Sequence, residues 1–197
     1  MANNLDKMID EDELTRLAEQ YGDFTRRHVT IEMQSTSVRH YKRVNESRRG
    51  EIVFALTRPD GAVLLHTKYS YPNGLYRLPT GGIDWGEPVA KTFHREVQEE
   101  TQLPVRDERF LGVLSYEFTD GQRAVPFVSY LFHAGGVEGE PVPEDDSEGI
   151  EDFCWIPQHE LADVATTLRS LDEDEEGRHD WGVFRAVSHE LLLGLLR

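Results

Sequence analysis

The stretch GGIDWGEPVAKTFHREVQEETQL, Gly81 to Leu103, decides how the chain is read. Proline suits a first helical turn and Glu87 favours the positive end of the helix dipole, so a helix is predicted from near Pro88 to about Thr101. Positions three and four apart share a helical face, which brings Glu96, Glu99 and Glu100 to one patch. Three crowded carboxylates repel one another unless a cation neutralises them. Hard oxygen ligands favour Mg2+ or Mn2+ over zinc, and no cysteine cluster or histidine spacing competes for the role. Arg95 precedes the acids and can pair with one of them, fixing its orientation. Phe93 and Val97 point elsewhere and are expected to pack the helix on a sheet. The Gly81-Gly82 pair lets the backbone approach closely, so a carbonyl of that loop can complete a metal shell.

Outward from this segment the chain alternates strands and helices. Glu51 to Leu56 and Ala62 to His66 are compact apolar runs separated by Arg58-Pro59-Asp60-Gly61, and are predicted to pair as strands. A loop, Tyr69 to Gly74, leads into Leu75 to Leu78 and then the glycine loop Pro79 to Gly82. Strands are expected at Phe110 to Phe118, Ala124 to His133 and Phe153 to Ile156, followed by a helix from Pro157 to Leu168. Gly135 to Asp152 is rich in Gly, Pro and acid and reads as a long exposed loop. Leu5 to Tyr21 reads as one amphipathic helix stopped at Gly22, and Val29 to Ile31 as a short strand. Leu171 to Asp180 is an acidic connector before a terminal helix over Trp181 to Leu196.

Acids at helical spacing are ordinarily a solvated face, and REVQEE alone would say little. The combined spacing says more. Gly81, Glu87 after five residues, Arg95-Glu96 after seven more, then Val97, Glu99-Glu100 and Leu103 resemble the Nudix box. LYRLPTGGID is similar to the strand and loop that lead into that box, and DFCWIPQHEL to the family's late strand and helix start. The likeness covers roughly Glu51 to Leu168. It implies an α/β/α sandwich around a mixed sheet, and the helical extensions read at both ends fall outside it. The division expected is an N-terminal extension over 1–48, a hydrolase domain over 49–170, and a connector and helix over 171–197.

The same resemblance implies hydrolysis of a phosphoanhydride in a nucleoside diphosphate joined to another group, a nucleotide sugar such as ADP-ribose or a nucleoside triphosphate. It makes Glu96, Glu99 and Glu100 metal ligands, with Thr80, Gly81, Gly82 and Glu87 forming the loop against the substrate. Arg95 and Glu99 belong to the catalytic set. The general base is a box glutamate or an acid of the Gly135 to Asp152 loop, where Glu148 is the first candidate and Glu151 the second. Tyr76, Trp85, Tyr116 and Phe118 are potential stacking residues, although aromatics beside strands are more often core. One position departs from the box: Gln102 stands where glycine is usual and must tolerate a left-handed conformation or reshape the turn. A silent member of the fold that senses a nucleotide or binds a protein is the competing reading.

Composition supports one globular α/β domain: 197 residues, 38% hydrophobic and 10% aromatic. A formal charge of -16, from 37 acidic against 21 basic residues, argues against general nucleic-acid binding. Basic residues nevertheless gather between Thr25 and Gly50, where Arg26, Arg27, Arg39, Lys42, Arg43, Arg48 and Arg49 outnumber Glu32 and Glu46. A local patch of this kind can hold a small nucleotide. The resemblance implies a further part for Phe24 to Val44, since nucleotide-sugar pyrophosphatases of the Nudix family often use N-terminal strands to form a homodimer and the substrate pocket. Cys154 is alone, and no basic start with an apolar run, nor any membrane-length stretch, is present. A cytoplasmic protein without a membrane partner is expected.

Overall fold

The computed structural model describes residues 5–172 and 177–196. Part of the acidic connector, residues 173–176, lies outside them. Among the described residues six α-helices and seven strands follow in chain order: α1 (Leu5–Met8), α2 (Glu11–Tyr21), β1 (Thr25–Glu32), α3 (Ser35–Ser47), β2 (Arg48–Leu56), β3 (Ala62–Lys68) and β4 (Thr80–Asp84). Then come α4 (Val89–Thr101), β5 (Arg106–Thr119), β6 (Ala124–Gly135), β7 (Ile150–Pro157), α5 (Leu161–Arg169) and α6 (Arg178–Leu195).

β2 explains the architecture. Its side chains alternate between two cores, Ile52, Phe54 and Leu56 facing one and Val53 and Ala55 the other. A strand covered on both faces reads as a continuous apolar run rather than an alternating one. It lies within a mixed five-stranded sheet of order β1-β5-β6-β2-β4. The β1–β5 and β6–β2 pairs are parallel, and the β5–β6 and β2–β4 pairs antiparallel. On one face α4 brings Phe93 and Val97, and the N-terminal helices bring Met8, Leu14 and Leu17, onto Phe54, Tyr130 and Phe132. On the other face α3 (Val38, Tyr41) and α6 (Phe184, Val187, Leu192) cover Val53, Tyr116 and Leu131. The result is an α/β/α sandwich.

Four expectations are corrected. β2 and β3 do not form a hairpin ladder: β4 and β6 occupy both edges of β2, so beyond the Arg58–Gly61 turn and a single Thr57–Val63 bridge, β3 leaves to pair with β7. The glycine loop is itself strand, with Gly81 opposite Ile52 and Gly82 opposite Glu51. Leu75 to Leu78 makes only an isolated bridge, Arg77 to His66. The N-terminal helix is two helices, because the Asp10 carboxylate accepts from the Asp12 and Glu13 amides and starts α2 afresh. The basic segment after β1 is also more regular than its sequence suggests, since α3 spans Ser35–Ser47.

The ends of the chain are tied into the sandwich by polar contacts as well as by packing. Glu13 of α2 caps α4 by accepting the Val89 amide at 2.8 Å, and it also pairs with buried Arg49 at 2.7 Å. Arg185 of α6 donates to both oxygens of Glu51 on β2, at 2.8 and 2.7 Å. Gly182 lets α6 cross α5, for a Cβ there would stand 2.1 Å from the Leu168 carbonyl oxygen.

His189 of α6 is buried, donating from Nδ1 to the Arg185 carbonyl and accepting the Leu78 amide at Nε2. Burial therefore holds it neutral, down to about 3 against an ordinary 6.5. With its folded value depressed, the unfolded chain binds the extra proton first, so stability is whole above 6.5 and declines as pH falls toward 3. Urea unfolding at about pH 7 and about pH 5 should lose roughly 2 kcal/mol on this account. His189→Gln should show that much less pH dependence than the wild type; an equal dependence would contradict it.

Candidate active site

The acid face of α4 lies against β4, and Gly81 makes the approach possible. A Cβ at Gly81 would stand 1.9 Å from the Glu96 carboxyl carbon, a distance no side chain tolerates. Arg95 locks the arrangement. Its Nε and Nη2 bind the two oxygens of Glu87 at 3.0 Å each, and Nη2 also reaches the Gly82 carbonyl at 3.0 Å. Nη1 binds Glu96 and Glu99, each at 2.8 Å. Such charge-assisted pairs hold the guanidinium in one plane, and the Glu87 bond above all raises its proton affinity. Thr80 is connected from the other side, its Oγ1 accepting from Arg77 at 3.1 Å.

Around this clamp the structure gathers Glu96, Glu100 and Glu148, each offering an oxygen within 4.8 Å of the others. Glu148 comes from a short 3-10 turn, Asp146–Glu148, in the long acidic loop. Glu99 is outside this group and half-exposed, held by Arg95. Glu151 lies exposed on β7.

Glu100 is fully buried. Its Oε1 accepts from Lys68 Nζ at 2.7 Å, while Oε2 has no hydrogen-bond partner and sits 3.8 Å from Nδ1 of buried His66. Burial pushes this carboxyl up to about 7 although Lys68 pulls the other way. Burial raises Glu96 as well, against the pull of Arg95. Lys68 Nζ is also 3.8 Å from Glu148. Among the described residues, Glu87, Glu96, Glu99, Glu100 and Glu148 form their ion pairs here with the cations Arg95 and Lys68, while Arg77 acts on Glu100 from farther off. An acid excess in a desolvated position, with an unsatisfied buried oxygen, is the donor set that a hard divalent cation relieves. Glu96 and Glu100 are placed to hold one, with Glu148 facing them.

Lys68, His66 and Arg77 had no sequence signal of their own: they come from β3 and its bridge partner, and pairing β3 with β2 would have placed them elsewhere. The aromatic candidates disperse. Tyr116 and Phe118 are core around Phe184. Trp85 is 44% exposed, donating to the Asn45 carbonyl, and Tyr76 bonds Asp152.

Gln102 adopts the left-handed conformation (φ 53°, ψ 16°) and ends α4 as glycine would. Its side-chain amide donates to the Val142 and Pro143 carbonyls at 3.4 and 3.2 Å, which offsets part of the conformational cost.

This geometry agrees with comparison to known proteins. The NUDIX domain family matches residues 46–175, and the chain belongs to that family. It is 30% identical over 129 residues to the NAD-capped RNA hydrolase NudC of Pseudomonas fluorescens, covering 65% of this chain and 42% of that protein. It is 29% identical over 118 residues to the mitochondrial NAD(P)H pyrophosphatase NUDT13 of Mus musculus, covering 60% of this chain and 31% of that one. The chain therefore spans less than half the length of these relatives. Among solved structures, the MutT NUDIX hydrolase of Burkholderia pseudomallei matches with a TM-score of 0.44 and 25% identity, over 68% of this chain and 95% of that one.

Two substitutions test the local account. Gly81→Ala should displace the Glu96 carboxylate and weaken Mn2+ binding about tenfold or more in a calorimetric titration, with the fold retained; unchanged affinity would refute the close-approach argument. Gln102→Gly exchanges side-chain bonds for a relaxed backbone, so urea unfolding should move by no more than about 1 kcal/mol.

Proposed function

We propose that this chain hydrolyses a phosphoanhydride bond in a nucleoside diphosphate linked to a second group, using a divalent cation, Mg2+ or Mn2+. The observation that carries the reading is the triad of Glu96, Glu100 and Glu148 oxygens beside the Gly81 backbone. The chain is by class a Nudix pyrophosphohydrolase. Relatives named for NAD-capped RNA and NAD(P)H make dinucleotide pyrophosphates members of the substrate class to be tried, beside ADP-ribose and nucleoside triphosphates.

The residues divide the work as follows. Glu96 and Glu100 hold the cation, and Glu99 joins them when it leaves Arg95. A cation held there supplies neutralisation of phosphate charge and a more acidic attacking water. Arg95, anchored by Glu87 and the Gly82 carbonyl, keeps the Glu96 carboxylate aimed. Glu148 accepts the proton of the attacking water, because it reaches the cluster from a loop and carries no short bond that would fix it. Lys68 lies between Glu100 and Glu148, where its ammonium can meet a phosphate oxygen.

Nucleotide release measured over ADP-ribose, NADH and ATP with Mg2+ or Mn2+ tests the proposal. Wild type should turn over at least one of them, and Glu96→Gln and Glu100→Gln should lower kcat by about 100-fold or more. Glu148→Gln should lower kcat by about 100-fold or more, the loss of a general base, with Mn2+ still bound. Equal, slow turnover by wild type and all variants would refute the reading and favour a silent nucleotide-binding module.

A further inference from the structure

A cleft of about 420 Å³ opens between α3, the turn after β3 and the start of α6. Two of its three walls lie mostly outside the segment matched to the NUDIX family, residues 46–175: α3 is Ser35–Ser47 and α6 is Arg178–Leu195. Its size falls in the lower part of the roughly 300–1,000 Å³ typical of small-molecule sites.

The lining has a definite chemistry. Tyr71 and Trp181 form an aromatic corner, their ring centroids 5.2 Å apart and tilted by 50°. Arg77 braces it from beneath, with its guanidinium carbon 4.8 Å from the Tyr71 centroid and 5.8 Å from that of Trp181, and with a hydrogen bond to the Tyr71 hydroxyl. Arg43, His40 and Arg178 stand at the rim. Among the described residues, none of the lining side chains is acidic. Aromatic faces with cations at the edge suit a flat heterocycle carrying an anionic group.

The cleft is also joined to the carboxylate cluster. Lys68, which holds Glu100, and Tyr71, which lines the cleft, are the two ends of one turn closed by the Tyr71 amide on the Lys68 carbonyl at 2.8 Å. Three residues of chain span at most about 10 Å, the scale of one nucleotide unit. Arg77 makes a second link, since the same guanidinium that bonds Tyr71 also donates to Thr80, next to Gly81.

We propose that this cleft binds the nucleoside monophosphate half of the substrate, with the base against Tyr71 and Trp181 and the phosphate side toward Arg43. The proposal rests on the hydrolase reading for its place in the reaction, but the binding event itself requires neither cation nor turnover. It also gives the basic face of α3 a task within an otherwise acidic molecule.

Equilibrium binding of AMP, adenosine and ribose 5-phosphate without divalent metal tests it. Wild type should bind AMP with a Kd below about 1 mM, and Trp181→Leu should weaken AMP about tenfold, the loss of one base stack. Trp181 also packs near Leu75, Ala165 and Leu168, so thermal melting accompanies the measurement. Should that variant melt far below wild type, Arg43→Glu on an exposed side chain decides instead, through about a fivefold loss for AMP and a smaller one for adenosine. No AMP binding by wild type, or unchanged AMP affinity in the deciding variant, overturns the proposal. Glu100→Gln separates the two readings: it should lose hydrolysis and keep AMP binding.

Discussion

A carboxylate can lie against a peptide backbone only where no side chain intervenes, and the Glu96 carboxylate lies where the Cβ of any residue but glycine at position 81 would be. That contact sets the distance between α4 and β4. Once it is made, Arg95 can reach the Gly82 carbonyl, Glu87, Glu96 and Glu99 together, and its guanidinium fixes the acid face of the helix relative to the strand. Glu100, one turn on from Glu96, is then driven into the interior beside β3, where it meets Lys68 and His66. The spacing of the motif is the sequence form of this single packing constraint.

The rest of the sandwich supports the contact from both faces. Glu13 caps α4 from the N-terminal helices and Arg49 ties the same corner to the Glu87 carbonyl. On the opposite face, α6 sends Arg185 to Glu51, which also accepts from the Ser129 hydroxyl. His189 receives the Leu78 amide just before β4. Buried polar groups of this kind are costly unless paired. They are paired here with groups on β2 and with backbone groups flanking β4, so both terminal segments brace the surroundings of the strand that carries Gly81. Glu100 Oε2 and both His66 ring nitrogens, buried without hydrogen-bond partners, lie beside the carboxylate cluster, while others such as Tyr116 Oη and His133 Nδ1 lie elsewhere in the core.

Much of this was legible in the sequence because it is local. The start of α4 near Pro88, the inward faces of Phe93 and Val97, and the shared face of Glu96, Glu99 and Glu100 follow from helical periodicity alone. Gln102 was legible as a problem and resolves as a left-handed residue anchored by its own side chain. What escaped is non-local. Apolar β2 and β3 around a good turn sequence look like a hairpin, yet β2 has two better partners far away in sequence. The hairpin-like pattern hides Lys68, His66 and Arg77, because their role depends on where β3 goes. Tyr71 and Trp181 are 110 positions apart in sequence, and no periodicity links them.

A cation seated between the acid face of α4 and the glycine strand is what this arrangement of carboxylates requires. An anomalous difference map from crystals of this protein grown with Mn2+ tests that claim most directly. The expected result is a peak about 2.1 Å from oxygens of Glu96 and Glu100, on the side facing Glu148 and the Gly81 backbone. A map with no peak there, or with Mn2+ held only at surface acids while Lys68 Nζ alone neutralises Glu100, would contradict it.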